Sequence, residues 1–415
     1  MIDSCSSVQS GPLLVLHEAL TKILVAITPV NTIEQVGLLE ALGRVTAEAL
    51  HSPIAMPFDR NAAMDGYAFA SASAVVGQAF TLEVVGTAWA GLPFTGQLQA
   101  GQCVRIFTGA VVPLVADSVV MQEHVQVDGA LVHFPADTAC LQNIRAAGED
   151  VQQGGCLVNS GKKLTAYDIA LLASAGIAAI NVKRRLHVTI FSTGDELAAL
   201  GQALVTGKIY DSNRYLLLGL LADPTYHVHD AGIIGDDLPL LQQTLLAAAE
   251  VSDAIITTGG VSVGNADLVK AALAHCGQVA FWKIAIKPGK PMAFGNIGKT
   301  FVFGLPGNPV AVATTFQALV APALEQLAGM RPKQRLRLNA IASSTLHKSK
   351  GRMEFQRGIL SQDDEGVLRV STAGGQGSHL LAPLSKSNCF IVLPAECGGV
   401  NIGDIVEAEP FAASI

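Results

Sequence analysis

The sequence predicts a multidomain α/β protein: a doubly wound α/β domain joined to a split helical domain, a β-rich insertion domain and a C-terminal β barrel. Three observations carry that expectation. Between residues 183 and 331, short β-branched runs alternate with helical patterns of roughly 10–15 residues, the signature of a mainly parallel sheet. Over residues 54–150 and again over 332–415 the apolar period changes to two, as in small β domains. The length of 415 residues exceeds what one core organises, so about two to four domains are expected.

Composition removes several function classes. Half the residues are apolar, which supplies ample core. The net charge of −7, with no Lys/Arg block, argues against a nucleic-acid surface. No apolar run reaches the roughly 18 residues of a membrane helix, and the N-terminus lacks a basic, then apolar, leader pattern. The seven cysteines are scattered without CxxC spacing, so reduced thiols in a cytoplasmic protein are expected.

The elements follow in order. Leu13, Leu16, Ala19, Leu20, Ile23 and Leu24 fall at helical spacing, and Pro53 and Pro57 end that character. The insertion, 54–150, alternates through Phe80–Val85, Cys103–Phe107 and Val119–Val125. A helix is expected over Leu164–Ile180 with Asp168 in its first turn. Residues 10–53 and 151–182 then form one split domain whose flanking helices pack together. Strands are expected at His187–Phe191, His227–Ile234, Ala254–Thr258 and Thr300–Gly304. Helices are expected at Asn213–Leu221, capped by Ser212, at Leu238–Ala249 and at Val310–Leu327. Beyond Arg335 five short strand patterns predict the barrel.

Ligands of an open parallel sheet bind beyond the carboxyl ends of its strands. Four loops meet that rule. They are Ser192-Thr193-Gly194-Asp195-Glu196, Gly235-Asp236-Asp237, the segment Thr257–Asp267, and Gly304-Leu305-Pro306-Gly307-Asn308-Pro309. In the third, TTGGVSVGNAD, Gly259, Gly260, Ser262 and Gly264 let backbone N–H groups converge on an anion, and Asp267 opens the next helix. Each loop also has a plain reading: Asp236 and Asp237 are good helix caps, and Asp195-Glu196 are too. Together on one edge they place carboxylates beside anion-binding backbone, which suits an oxyanionic ligand with a hard divalent cation. In WKIAIKPGKP, Lys283 and Lys287 are four apart in a strand-like stretch and are expected to share a face, with Lys290 in a turn. His227 and His229 read as a surface pair.

FD…AMDGYA, RIFTGA, AAGED, STGDEL, GKIYDSN, TTGGVSVGNAD, FWKIAIKPGKPMAFG, GLPGNPV, FQRG and GSHLLAPL occur in this order from about Leu13 to Phe411. In this the chain resembles the molybdopterin molybdenumtransferases, the MoeA family, to which the C-terminal domain of gephyrin also belongs. The resemblance implies a homodimer of four-domain chains whose central domain is similar to molybdopterin adenylyltransferases. It implies that molybdate is inserted into adenylylated molybdopterin with loss of AMP, assisted by Mg²⁺. Other molybdenum-cofactor biosynthesis proteins are then expected partners, and nucleic acid and membrane are not.

Carried over by motif, Asp65, Glu196, Asp236, Asp267, Lys283 and Lys287 match catalytic positions, with Glu196, Asp236 and Asp267 as metal ligands. Thr108, Asp150, Thr193, Gly194, Lys290, Pro306 and Pro309 match substrate-facing positions, as do Gly259, Gly260, Ser262 and Gly264 of the glycine loop. Arg352, Arg357 and Ser378 match positions of the C-terminal domain, which in the family faces the partner subunit's cleft. Here Arg60-Asn61-Ala62-Ala63 lengthens the stretch before Ala-Met-Asp-Gly, so the carry-over rests on Asp65 rather than Asp59. Two alternatives stay open: adenylation of molybdopterin, and a non-enzymatic molybdopterin-binding scaffold.

Overall fold

A computed structural model describes residues 13–75, 77–259 and 268–411. Gly260, Ser262, Gly264 and Asp267 therefore lie outside the described residues.

The α/β domain is built on a six-stranded sheet. Strands Tyr226–Ile234, Leu186–Thr193, Ala254–Thr258 and Thr300–Leu305 lie side by side in that order and all run parallel. Pro291–Ile297 and Gln278–Lys283 extend the sheet with antiparallel pairing. Buried on both faces, the inner strands read as apolar runs; Ala254–Thr258 is buried at every residue. Leu241, Leu245, Val269, Ala272 and Leu273 cover one face from the helices Leu238–Val251 and Leu268–Cys276. The other face carries Leu217, Val312, Phe316 and Leu319, and the same core takes in Ala19 and Ile23 of the first helix. Truncating such a residue, Leu241→Ala for example, should cost about 2–5 kcal/mol.

The helix starts refine the expectations. Asp211, not Ser212, caps Ser212–Leu220, accepting from Arg214 N at 3.2 Å. A helical run spans Pro309–Leu327, with π-type geometry over Phe316–Val320. It bears out the helix expected over Val310–Leu327; by length and mean hydropathy it could cross a bilayer, but 67% of its 18-residue apolar window is buried in the core.

The split domain departs from the expectation. Its flanks are joined by strands: Ile33–Gly37 pairs with Ala179–Lys183, and Leu50–His51 with Cys156–Val158. The first helix, Leu16–Ala26, packs on Ala321–Leu327 of the α/β domain instead of on the second flank. The expected helix to Ile180 stops at Ser174, where Gly176 turns the chain at φ +77° and Ala179 begins a strand. Its start does hold a capping box, Thr165 with Asp168.

The insertion is a six-stranded sheet in which Phe80–Ala88, Gln102–Ile106 and Gly66–Phe69 are central. The strand expected over Val119–Val125 ends at Met121, and a 3₁₀ turn takes over. The C-terminal sheet closes on itself. Met353–Gln362 pairs with Leu368–Thr372, which pairs with Leu338–Ala342. Ile405–Pro410 follows, then Cys389–Leu393, which returns to Met353–Gln362. A closed five-strand barrel results, with no free edge within the ring.

Candidate functional site

Because the four strands are parallel, the polar loops that follow them share one edge, the third through its described residues Thr257, Thr258 and Gly259. Two of them latch directly. Thr193 Oγ1 donates to Asp236 at 3.0 Å, and Asp236 N donates to Asp195 at 3.1 Å. The neighbouring acids divide their labour: Asp237 caps Leu238–Val251 through Leu240 N at 2.8 Å, while Asp236 makes no cap. Gly259 ends the central strand at φ +88°, and a Cβ there would strike the Thr193 carbonyl, so only glycine fits. The Glu196 carboxylate folds over Gly194 and, among the described residues, has no hydrogen-bond partner.

The second layer is buried. Ser192 Oγ bridges Asp211 and Thr258 at 3.0 Å each, and Asp211 also holds Arg214 Nε at 3.1 Å. Asn213 donates to the Gly307 carbonyl at 2.7 Å and so fixes the loop that carries Pro306. Pro309 sets the first turn of its helix and does not line the cleft.

The barrel supplies the opposite wall. Ile286–Lys287 adds a short parallel strand to Met353–Glu354, and Val310 N donates to the Ser378 carbonyl at 3.1 Å. Between the two walls lies a cleft of about 840 Å³. Among the described residues, Lys287, Lys290, Arg352 and Arg357 line it against two carboxylates, Glu196 and Glu354, so cations outnumber anions two to one there. Buried Arg357 spends its fork on the carbonyls of Gly375, Gln376 and Gly377, at 2.7–3.2 Å, and its Nε has no partner among the described residues. Burial pulls this guanidinium below its usual range, with Glu354 opposing.

One expectation needs correction, and the other predicted residues fall in two places. Lys283 and Lys287 share no face: Lys283 ends a strand of the α/β sheet, Lys287 belongs to a strand on the barrel, and only Lys287 lines the cleft. The backbone turn at Ile284–Ala285, anchored by Leu14, separates them. Arg352, Arg357 and Ser378 line a cleft within their own chain, where the seam at Lys287 docks the barrel onto its α/β domain. Finally, the insertion residues lie elsewhere. Asp65 accepts from Thr108 N and Thr108 Oγ1, both at 2.7 Å. Asp150 N donates to Met56 O, and Ala63 N, two residues before Asp65, donates to Asn143 O. None of the three lines the cleft. The Thr108 backbone N–H, then its hydroxyl, hold the Asp65 carboxyl below the usual carboxylate range.

Among the described residues no three His, Cys, Asp or Glu side chains converge as a metal-ligand group. Sequence reasoning passed over Glu354, Asp211 and Asn213. The signal for Glu354 was a carboxylate inside the strand pattern MEFQRGIL, where an unpaired charge would be costly.

Residues 14–176 match the MoeA N-terminal region (domains I and II), 189–326 a probable molybdopterin binding domain, and 339–411 the MoeA C-terminal region (domain IV). The chain is 43% identical over 402 residues to the molybdopterin molybdenumtransferase of Haemophilus influenzae, covering 96% of this chain and 99% of that protein. It is 33% identical to gephyrin of Dictyostelium discoideum over 91% of this chain and 59% of that protein. The structure is similar to the crystal structure of the molybdopterin biosynthesis moeA protein of Pyrococcus horikoshii, with TM-score 0.84, 28% identity, and 96% and 100% of the two chains covered.

Proposed function

The chain belongs to the MoeA family, and on that premise we propose that it is a molybdopterin molybdenumtransferase. It inserts molybdate into adenylylated molybdopterin and cleaves the adenylate, releasing AMP. One observation carries this reading: the cation-rich cleft between the strand-end loops and the barrel. Molybdate and a phosphoanhydride both bring negative charge, and a half-enclosed cleft strengthens the attraction of fixed cations for them. In this reading Lys287 and Lys290 draw in the oxyanions, and Arg357 holds the loop that presents Ser378.

The donors at the loop edge suit a hard cation. Glu196 has both carboxylate oxygens free of described partners, and Asp236 stands on the neighbouring loop. With waters and phosphate oxygens these two would hold Mg²⁺, joined by Asp267 in the sequence reading. Such an ion, when bound, offsets charge on the phosphoryl oxygens as AMP leaves. A homodimer belongs to the same reading, with Asp65, Thr108 and Asp150 reaching substrate in a second copy's cleft. A cytoplasmic location and hand-over to other molybdenum-cofactor biosynthesis proteins complete it.

The test is AMP release from adenylylated molybdopterin by the purified chain with Mg²⁺, with and without molybdate. Molybdate-dependent release is expected. Tight binding without release would replace the enzyme by a carrier, and adenylation from ATP would replace it by an adenylyltransferase.

A further inference from the structure

The insertion domain carries an aromatic column that the cleft chemistry leaves unused. Phe80–Ala88 runs parallel to Gln102–Ile106, with Thr87 beside Arg105 and Ala88 beside Ile106. One step further on, Trp89 and Phe107 come side by side and stack, ring centroids 3.9 Å apart and planes within 8°. Behind Phe107 the Arg105 guanidinium lies 5.0 Å from that ring and 4.9 Å from the ring of Tyr67. Tyr67 is the direct cross-strand neighbour of Arg105, so the order Tyr67–Arg105–Phe107–Trp89 follows from the strand register.

The column is closed at one end and open at the other. Tyr67 is 6% exposed and Trp89 is 49% exposed. Phe107 covers one indole face, and no ring or cation among the described residues covers the second. The indole is also held in place: Trp89 and Leu92 exchange backbone hydrogen bonds of 3.0 Å across a turn that Gly91 makes at φ +80°. The residue after Phe107 is Thr108, which grips the exposed carboxylate of Asp65. A rigid open ring face therefore stands beside a polar pair that the family resemblance places in the substrate's path.

From this geometry we infer that Trp89 is a stacking platform for the planar nitrogen heterocycle of the substrate, the adenine or the pterin of adenylylated molybdopterin. The inference rests on the proposed function and adds a substrate-gripping residue to it. Ring stacking tolerates either heterocycle because each presents a π face, and Asp65 offers acceptors at the platform's edge.

The chain has two tryptophans, so Trp282→Phe leaves Trp89 as the only indole. AMP and biopterin are titrated separately into this full-length variant, followed by indole fluorescence and by calorimetry. One of them is expected to quench the indole. Adding Trp89→Leu should weaken that ligand's binding by roughly 5- to 150-fold, while Trp89→Phe keeps it within about threefold. The quenching ligand identifies the stacked ring. AMP binding with an unquenched indole and unchanged affinity in Trp89→Leu, together with no effect on biopterin, overturns the platform and leaves the transferase reading standing. If neither ligand binds and no AMP is released from adenylylated molybdopterin, the transferase reading fails and the platform with it.

Discussion

The Lys287 ammonium stands 3.2 Å from the Glu354 carboxylate, across the seam between the α/β domain and the barrel. The pair is unequal. The Lys287 side chain is 49% exposed toward the cleft, and that of Glu354 is 5% exposed. Glu354 also accepts from Gln356 at 3.1 Å, so the carboxylate is built into the barrel wall and the ammonium reaches out from it.

Lys287→Ala should therefore act twice. It removes a cation from the cleft and leaves a buried carboxylate short of a partner, a loss of about 1–3 kcal/mol. Glu354→Gln in the same background should restore the melting temperature without restoring AMP release. Thermal unfolding and release rates on both variants test this; a double variant that melts like the single one would sink it.

The adjacent acids Asp236 and Asp237 should separate function from stability. Asp237→Ala removes a helix cap and should cost about 0.5–2 kcal/mol, with AMP release near normal. Asp236→Asn should melt close to the parent and lose about 100-fold in release, the size of a lost charge-stabilising contact. The reverse pattern would reassign the pair.

Thr108→Val keeps the backbone donor to Asp65 and removes the hydroxyl donor. The backbone N–H is the larger cause of the lowered Asp65 value, so the carboxyl should move up only part of the way. In the parent, Asp65 stays charged until the pH falls below the usual carboxylate range; in the variant protonation begins at higher pH. Carboxyl NMR titration reads this, and an unchanged Asp65 titration would contradict the hydroxyl's part.

Burial pushes the Cys103 and Cys389 thiols up to about 12. The thiolate is the reacting form, so at pH 8 both should resist iodoacetamide in the native protein while exposed Cys156 reacts. From the ordinary value of 9.0 upward the unfolded chain loses these protons first, so folding weakens as pH rises through that range. Mass spectrometry of the alkylated native chain checks the order.

Much of the site was legible because its signals are local. Strand, polar loop and helix follow one another within a few residues, so the edge bearing Thr193, Glu196, Asp236 and Gly259 could be placed from pattern alone. Lys283 misled for the same reason. Spacing four within WKIAIKPGKP predicts a shared face only if the strand continues, and the chain turns at Ile284–Ala285 to join the barrel. The sequence predicts Ser212 as the cap that Asp211 provides, and Asp236 and Asp237 both read as possible caps; Ser and Asp both cap helices, and which residue does depends on where the chain enters the helix.

By itself the sequence determined the succession of domains' chemistry: apolar periods of two and 3.6, glycine where a loop must turn sharply, and the family motifs. Those are properties of a residue and its near neighbours. Only the tertiary structure decided which walls meet. It closed the last five strands into a barrel, seated that barrel on its own chain's cleft through Lys287 and Glu354, and stacked Trp89 on Phe107. These contacts join residues far apart in sequence, and strand register and buried charge, which no local pattern encodes, select them.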